Sequence, residues 1–512
     1  MKSVGLSFFA HLALAFGFVV VNVSAAADSS SESMDIGNFL WFSDVHLDDY
    51  YGTANAEVHK AGAPCANASA PYYSAYGCGS SLGLLKSTLD SASRAITEEG
   101  GIPKPDFIMF TGDSTRHNSQ NVRIDGYNSS EASISYVVNK AMTTVYDGIS
   151  ERFPDVPVIE LPSLDLGNND FLGDYKLNVT SYLPCLITED DDDDDAPALP
   201  NATNQWLIDV ADRFQNLFVD DEESSVFACG GYFNRRLREG LRLISLNTVV
   251  WCLSHTPNVD GTSDPFGEHA WLRVQLKKAK KQGEKVYITG HVPPMLQSFV
   301  NGIGNPLWQD EHVVEFFETV NKYQDVVAGI FFAHVHSNEL RVMPDMPDNF
   351  PPMLITGSIS PCYTTTPFYS FVFYDRGETK FPVDVVTYNL NLDAVQNETT
   401  MPVDDESNFD PWERMFQNLT SFLGISSLTN RETLLLAERL ASNASDDGSV
   451  TFEKYFQTWY KVSTTKHHSQ YQHYKPQSLY LTKAIYCSLF LSLSHRAYRK
   501  YATITVEKRK LV

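Results

Sequence analysis

Five short motifs in this chain of 512 residues are built from residue types that bind divalent metal ions. They are Asp44-Val-His46, Gly112-Asp113, Gly167-Asn168-Asn169-Asp170, Gly290-His291 and His334-Val-His336. Each motif alone is a weak signal, because an isolated histidine or aspartate is more often a surface or structural group. All five follow apolar runs that predict β-strands, and chance does not readily produce that repetition. Together the motifs predict a metal centre.

The predicted strands must bring these motifs together. Open α/β sheets bind ligands at the carboxyl ends of their strands, which lie along one edge. Enough donors for two divalent ions are available there, and the candidate ligands are Asp44, His46, Asp113, Asn168, His291, His334 and His336. Imidazole combined with carboxylate favours zinc, manganese or iron over magnesium or calcium. Two such ions, two carboxylates and a bridging hydroxide leave a charge of about +1, which matches a singly charged phosphodiester.

Strands and helices alternate between Ile36 and about Leu390. The predicted strands are Phe39–Phe42, Phe107–Phe110, Val156–Leu161, Leu241–Leu246, Val286–Thr289, Val326–Phe332, Met353–Thr356 and Ser370–Tyr374. The predicted helices are Ser81–Glu99, Glu131–Phe153, Ala270–Gln282 and Asp310–Lys322. Such alternation predicts an α/β architecture in which helices cover sheets.

The amino terminus has the pattern of a secretory signal over residues 1–26. Lys2 precedes an apolar run from Phe8 to Val21, and small residues follow at Ser24–Ala27. A basic start, a short apolar stretch and small residues at the end predict a cleaved leader, with an uncleaved signal anchor as the alternative. No later window reaches the ~20 apolar residues that a spanning helix needs, so we expect no transmembrane segment after cleavage.

Three further segments complete the predicted organisation. Residues 36–390 form the main domain, and residues 391–460 form a small helical region with helices at Pro411–Leu423 and Asn430–Ser442. Residues 461–512 carry ten Lys or Arg against one Glu, and we expect this basic tail to be disordered.

Asparagine sequons and cysteines suit a secreted chain or one in the lumen of a lysosome or vacuole. The sequons begin at Asn67, Asn128, Asn178, Asn201, Asn397, Asn418 and Asn443, and predict a glycoprotein. Six of the seven cysteines precede the tail and could form three disulfides. We favour Cys65–Cys78 because the loop between them is short, while the sequence leaves the other pairings open.

Charge and composition exclude several classes of protein. The net charge is −24, and the chain between the leader and the basic tail has a net charge of −34. Binding to nucleic acid through phosphate contacts needs clustered Lys and Arg, so we expect no nucleic-acid partner. The plentiful aromatic residues exclude a wholly disordered chain. The sequence has no Gly-x-Ser-x-Gly motif, which leaves serine hydrolase chemistry without support. We expect a monomer.

In their order and spacing, the five motifs resemble those of calcineurin-like metallophosphoesterases. The resemblance is narrower to the acid sphingomyelinase-like phosphodiesterases, and it covers roughly Asn38 to Tyr460. Additional matching segments are Tyr76-Gly-Cys78, Gly230-Gly-Tyr232, Gly290-His-Val-Pro-Pro294 and Asp410-Pro-Trp412. The resemblance implies a four-layer α/β/β/α metallophosphoesterase sandwich with a small helical C-terminal region. It also implies hydrolysis of a lipid or small-molecule phosphodiester.

The resemblance also implies a role for each motif residue. Asp44, His46 and His336 would hold the first ion, Asp113 would bridge both, and Asn168, His291 and His334 would hold the second. The two ions, which we expect to be zinc, would activate a water for in-line attack on phosphorus. His117 stands where the family has a histidine that protonates the leaving oxygen.

The candidate catalytic residues are His117 and Asn169. Of these, Asn169 departs most from the family pattern. The family usually has Gly-Asn-His here, and an amide cannot transfer a proton. The Gly-Asn-Asn-Asp form is similar to endopolyphosphatases, so cleavage of polyphosphate is the second hypothesis. Against it, the net charge of −34 between the leader and the basic tail disfavours a dense polyanion, and Arg116 and Arg123 are the first two cations that follow Asp113. A third hypothesis, also motivated by Asn169, is a catalytically inactive secreted glycoprotein that retains the fold for binding.

Overall fold

A computed structural model of the protein describes residues 35–97, 100–124, 129–156, 166–184, 202–297, 305–343, 345–395, 410–415 and 418–442. The predicted signal, the strand predicted after Val156 and the basic tail lie outside these residues. Within them no helix is both long and apolar enough to cross a membrane.

The described residues form eleven strands and nine helices. The strands are β1 Ile36–Phe42, β2 Phe107–Phe110, β3 Phe233–Arg238, β4 Leu241–Leu246, β5 Lys285–Gly290, β6 Val327–Phe332, β7 Glu339–Arg341, β8 Met353–Ile355, β9 Phe368–Asp375, β10 Pro382–Leu390 and β11 Trp412–Arg414. The helices are α1 Leu82–Ala95, α2 Ser130–Arg152, α3 Gln205–Arg213, α4 Asp221–Gly230, α5 Glu268–Gln282, α6 Asp310–Lys322, α7 Leu392–Val395, α8 Leu419–Leu423 and α9 Asn430–Ser442.

The strands are arranged in two mixed sheets. The first sheet has the order β11-β10-β9-β1-β2, and the second has the order β3-β4-β5-β6-β8-β7. In the first sheet β1 and β2 are parallel, with Phe42 opposite Phe110 at their carboxyl ends. In the second sheet β4, β5, β6 and β8 are parallel neighbours. Each sheet thus has a parallel region whose strand ends are followed by the predicted motifs.

Successive side chains of a strand point to opposite faces of its sheet, and this produces the layers of the sandwich. In β1, Phe39 and Trp41 pack against Phe331 of the second sheet, with ring centroids 5.4 and 5.5 Å apart. Leu40 and Phe42 point the other way, into the apolar cluster that contains residues of α1 and α2. Because successive side chains of a strand face opposite sides, the sheet is buried on both faces. The predicted α/β/β/α sandwich is confirmed.

The predicted helix over Pro411–Leu423 is wrong in its first part. Trp412–Arg414 forms strand β11, which pairs antiparallel with the end of β10, so that Trp412 lies opposite Leu390. The Trp412 ring is buried, and its Nε1 donates a hydrogen bond to Ser87 Oγ. Burial of this ring at the sheet edge outweighs the local helical pattern, because tertiary packing routinely overrides propensity.

The cysteines agree with the sequence only in part. Cys65 and Cys78 form the expected disulfide, and Cys229 is also disulfide-bonded. Cys252 and Cys362 are free and buried, so the expectation of three disulfides among the six cysteines is wrong. Each of the two thiols has its own contact, Cys252 with the Thr248 carbonyl and Cys362 with the His336 ring.

A buried histidine pair links α5 to α6. His269 Nε2 lies 3.0 Å from His312 Nδ1, and the His269 ring stacks on Trp251. Burial lowers the pKa of His312 from 6.5 to about 4, because a charged imidazole is poorly solvated there. The unfolded chain therefore binds more protons than the folded protein between these two pH values. Stability is fully present above about pH 6.5 and falls as the pH is lowered towards 4.

Replacing this group should flatten the pH dependence of stability. When the pH is lowered from 7 to 5, the free energy of unfolding should decrease in the wild type by about 2 kcal/mol more than it does in His312→Gln. Urea unfolding at both pH values measures the difference. An equal fall in both proteins would show that His312 titrates normally in the folded state.

Candidate metal centre

Six of the seven predicted ligands lie on loops that leave the parallel strands of both sheets, and Asn168 lies in the loop at residues 166–184. Asp44 follows β1, Asp113 follows β2, His291 directly follows β5 and His334 follows β6. The first two loops continue the pairing of their strands, since Asp44 N donates to Gly112 O at 3.0 Å and His46 N to Asp113 O at 2.9 Å. The strand ends of two sheets thereby bring the side chains together at one end of the sandwich.

Five of the seven predicted ligands have backbone conformations that side chains rarely adopt. The φ angles are positive, between 45° and 69°, at Asp44, His46, Asp113, His334 and His336. Such a conformation costs about 1–3 kcal/mol per residue and persists where the surroundings enforce it. Strain of this kind is concentrated at functional sites, and here it turns successive side chains of each loop towards one point.

The ligand atoms converge in a buried space. His46 Nε2 lies 3.1 Å from His336 Nε2, and His336 Nε2 lies 3.3 Å from Asp44 Oδ1. On the other side, His291 Nε2 lies 3.2 Å from Asp113 Oδ2. The ligand atoms of Asp44, His46 and Asp113 form one close set, and those of Asp113, His291 and His334 form another. Asp113 is shared, as a bridging residue would be.

Each imidazole is oriented by a partner on its outer nitrogen. The Nδ1 atoms of His46 and His291 donate to the carbonyls of Thr115 and Thr111, at 3.0 and 2.7 Å. His334 Nε2 hydrogen-bonds the hydroxyl of Tyr175 at 3.0 Å. His336 Nδ1 lies 3.6 Å from the Cys362 sulfur. Metal-binding histidines almost always have such partners, which leave the inner nitrogen free to coordinate.

Asn169 anchors the carboxylate of Asp113. Its backbone N–H donates to Oδ1 and its side-chain Nδ2 donates to Oδ2, both at 2.9 Å. Gly167 passes so close that a Cβ there would lie 1.9 Å from Asp113 Oδ1. Asn168 Nδ2 donates to Asp174 at 2.7 Å, which leaves its Oδ1 facing the centre without a hydrogen-bond partner among the described residues.

Asp170 ties the two central loops to each other. Its carboxylate accepts hydrogen bonds from the backbone of Ser114, Thr115 and Gly167, at 3.0 to 3.3 Å. Burial and the nearby Asp113 carboxylate raise the pKa of Asp170 to about 7. It is a positioning residue, because its oxygens are occupied by the loops and not by the centre.

The electrostatics of the centre favour cations. Burial alone would raise the pKa of Asp113, but the imidazoles of His291 and His46 outweigh it and hold that pKa well below its ordinary value. Burial likewise opposes the charge on His291, yet Asp113 and Asp44 raise its pKa to about 10. Burial and His291 lower the pKa of His334 to about 3. Ionised carboxylates beside neutral imidazoles present lone pairs that a divalent ion can bind, with loss of the His291 proton.

His117 lies beside the ligands but belongs to neither of the two sets of ligand atoms that include Asp113. Its ring stacks on His46 at a centroid distance of 3.9 Å, and its Nε2 lies 3.1 Å from the Tyr363 hydroxyl. The carboxylate of Glu57 accepts its backbone N–H at 3.1 Å. Burial lowers the pKa of His117, but Glu57 outweighs burial and raises it above its ordinary value. A protonated imidazole at the edge of the centre is what a proton donor needs.

The donor set fits two divalent cations. Asp44 Oδ1, Asn168 Oδ1 and His291 Nε2 are buried and have no hydrogen-bond partner among the described residues. Buried polar atoms are normally paired, so unpaired donor atoms on neighbouring ligands fit the coordination of a cation. Asp44, His46, Asp113 and His336 can hold one ion, and Asp113, Asn168, His291 and His334 the other.

Sequence reasoning missed several residues that support the centre. Asp170 lies inside a predicted motif but was given no role of its own. Tyr175, Glu57, Tyr363 and Cys362 belong to none of the five motifs, and they reach the centre from three loops, since Cys362 and Tyr363 are consecutive. Only contacts between distant segments identify them.

Comparison with known proteins agrees with this geometry. The calcineurin-like phosphoesterase family matches residues 37–338, which include all five motifs and the strands that precede Asp44, Asp113, His291 and His334. The chain belongs to this family, and it is therefore an enzyme of the phosphoesterase class. The resemblance inferred from the motifs is confirmed.

Curated relatives divide between two activities. The chain is 29% identical over 378 residues to acid sphingomyelinase-like phosphodiesterase 3b of Mus musculus, covering 70% of this chain and 71% of the relative. It is 28% identical over 373 residues to cyclic GMP-AMP phosphodiesterase SMPDL3A of Homo sapiens, covering 70% and 71%. It is 25% identical over 322 residues to the endopolyphosphatase of Schizosaccharomyces pombe, covering 59% of this chain and 48% of the relative.

The close approach of Gly167 to Asp113 can be tested directly. Gly167→Ala should lower stability by about 1–3 kcal/mol, since its Cβ would overlap the Asp113 carboxylate, and it should reduce the bound metal per chain. Gly173→Ala is the matched control in the same loop, because its Cβ would make only ordinary contacts 3.4 Å from Lys176. Thermal unfolding and metal analysis measure both effects. Equal behaviour of the two variants would contradict the packing described here.

Proposed function

We propose that this protein is a metal-dependent phosphoric diester hydrolase, similar to sphingomyelinases, that uses two divalent ions. The convergence of four imidazoles and two carboxylates around a shared Asp113 carries the proposal. The donor types favour zinc, because carboxylate and imidazole together suit this ion. Two bound cations would supply a nucleophile at neutral pH and stabilise the charge that develops on the phosphoryl group.

The residues of the chain have distinct parts in this proposal. Asp44, His46 and His336 hold one side of the centre, and Asn168, His291 and His334 hold the other. Asn169 keeps both oxygens of Asp113 in place. His117 gives a proton to the leaving oxygen, with Tyr363 and Glu57 holding its ring. Because Asn169 cannot supply that proton, we assign the task to His117, with a solvent molecule as the alternative donor.

We further propose that the protein is glycosylated and acts outside the cell or in the lumen of a lysosome or vacuole. The amino-terminal pattern and the Cys65–Cys78 disulfide support this, since disulfides persist in oxidising compartments. Asn67 and Asn178 are exposed, as acceptors for glycans must be.

Hydrolysis of polyphosphate is the second candidate. The Gly-Asn-Asn-Asp motif and the similarity to an endopolyphosphatase favour it. A long polyanion should prefer a basic channel, however, and Arg116 is not free to provide one. Its guanidinium is buried, 2.7 Å from Asp48 and 2.9 Å from the carbonyl of Asn55. The phosphodiester is therefore the better supported substrate.

A substrate panel tests the proposal. The purified protein with zinc should hydrolyse bis-nitrophenyl phosphate or sphingomyelin, and a chelator should abolish the activity. Asp113→Asn should retain below about 1% of the wild-type rate, because losing even a residue that only supports a ligand costs about 10- to 100-fold. Metal content is measured on both proteins.

Other outcomes of the panel distinguish the alternatives. Chain-shortening of polyphosphate without diester cleavage would establish the second candidate. Two bound ions without turnover of any substrate would establish the inactive binding protein. Wild-type rates in Asp113→Asn would refute the two-metal mechanism.

The role proposed for His117 predicts a dependence on the leaving group. His117→Ala should slow cleavage of esters with poor leaving groups by about 100-fold or more, which is typical for loss of a general acid. Bis-nitrophenyl phosphate should be much less affected, because nitrophenolate leaves without protonation. Steady-state rates on both substrates measure the ratio, and equal losses would show that His117 is not the acid.

A further inference from the structure

A second group of metal-binding residues lies next to the centre. His59, His117 and Cys362 each offer one ligand atom, and these three atoms lie within 4.8 Å of one another. The carboxylate of Glu57 borders the same space, with Oε1 2.6 Å from His59 Nε2 and 3.3 Å from His117 Nδ1. One thiol, two imidazoles and one carboxylate are the donor types of four-coordinate zinc sites.

We propose that Glu57, His59, His117 and Cys362 form a third cation site that takes zinc or a similar borderline cation. Nδ1 of His117 is buried, and its nearest partner is the carboxylate of Glu57 at 3.3 Å, which is itself one of the proposed donors. An ion in this space would satisfy that nitrogen. Binding would release the thiol proton of Cys362, and the thiolate and carboxylate would then neutralise the ion.

The backbone holds the contributing loops together. His59 N donates to the carbonyl of Gly77 at 2.8 Å, and Gly77 N donates to the carbonyl of Pro361, next to Cys362, at 3.0 Å. The Cys65–Cys78 disulfide closes the loop that carries Gly77. Glu57 is fixed by its own N–H, which donates to Asp48 Oδ2 at 2.7 Å. The donors therefore need only side-chain adjustments to close around an ion.

Occupation of the third site would inhibit the enzyme. A cation bound at Nδ1 of His117 replaces the proton there, so the ring cannot form the imidazolium, and the proton left on Nε2 is a much weaker acid towards the leaving oxygen. Activity should therefore rise with zinc while the two-metal centre fills and fall when the third site fills. This consequence rests on the role proposed for His117, whereas the existence of the site does not.

Cobalt(II) provides a direct test of the site. A thiolate bound to cobalt absorbs in the near ultraviolet, and the proposed ligands of the two-metal centre offer only nitrogen and oxygen. Titration of the metal-free full chain should produce the thiolate band near the third equivalent. Cys362→Ser should abolish the band, while Cys252→Ser, which removes the other described free thiol, should retain it. No band, or a band that survives in Cys362→Ser, would overturn the proposal.

Inhibition by excess zinc is tested with a residue outside the proposed catalytic set. His59→Gln should keep the wild-type rate at two equivalents of zinc and need at least about 10-fold more zinc for inhibition. Unchanged inhibition in His59→Gln would refute the link between the site and activity. If the wild type hydrolyses no substrate, the proposed function fails, and the cobalt band still decides whether the site exists.

Discussion

The buried carboxylate of Asp113 is the constraint on which the centre depends. A buried charge is costly unless it is paired and hydrogen-bonded, and Asp113 meets both conditions. Asn169 donates to both of its oxygens, and His46 and His291 face it from the two sheets. The side chain fits only because Gly167 has no Cβ. The first and second sheets must therefore be in place before this carboxylate is stabilised.

The sandwich supplies the stiffness that such a site requires. Five positive φ angles in the ligand loops store strain that isolated loops would relax. Each strained loop continues from a buried parallel strand, and hydrogen bonds between the β1 and β2 loops keep them in register. Close packing of Phe39, Trp41 and Phe331 between the sheets resists the movement that would release the strain.

Asn169 stands where the family usually has a histidine, and this difference changes which residues can donate a proton. Its amide anchors Asp113 but cannot transfer a proton, so we propose His117 as the proton donor. Glu57, which contacts His117, also borders His59 and Cys362. The same ring would then serve either the transferred proton or the proposed third cation, which would connect catalysis with the supply of metal. The negative net charge of the chain is compatible with these proposals, because the charge of bound cations would dominate at the centre.

Local patterns in the sequence predicted the α/β architecture and the seven candidate ligands, and the family resemblance added the four-layer sandwich. Mostly apolar runs define β1, β2, β4 and β6, which are buried almost throughout, and the motif after a strand is a short-range signal. The tertiary structure decided what depends on contacts between distant segments. Strand β11 exists because Trp412 is buried against the sheet, and Cys252 and Cys362 stay free because each packs at a separate place. Tyr175, Glu57 and Cys362 reach the histidines from loops far away in sequence, and no local pattern records such a contact.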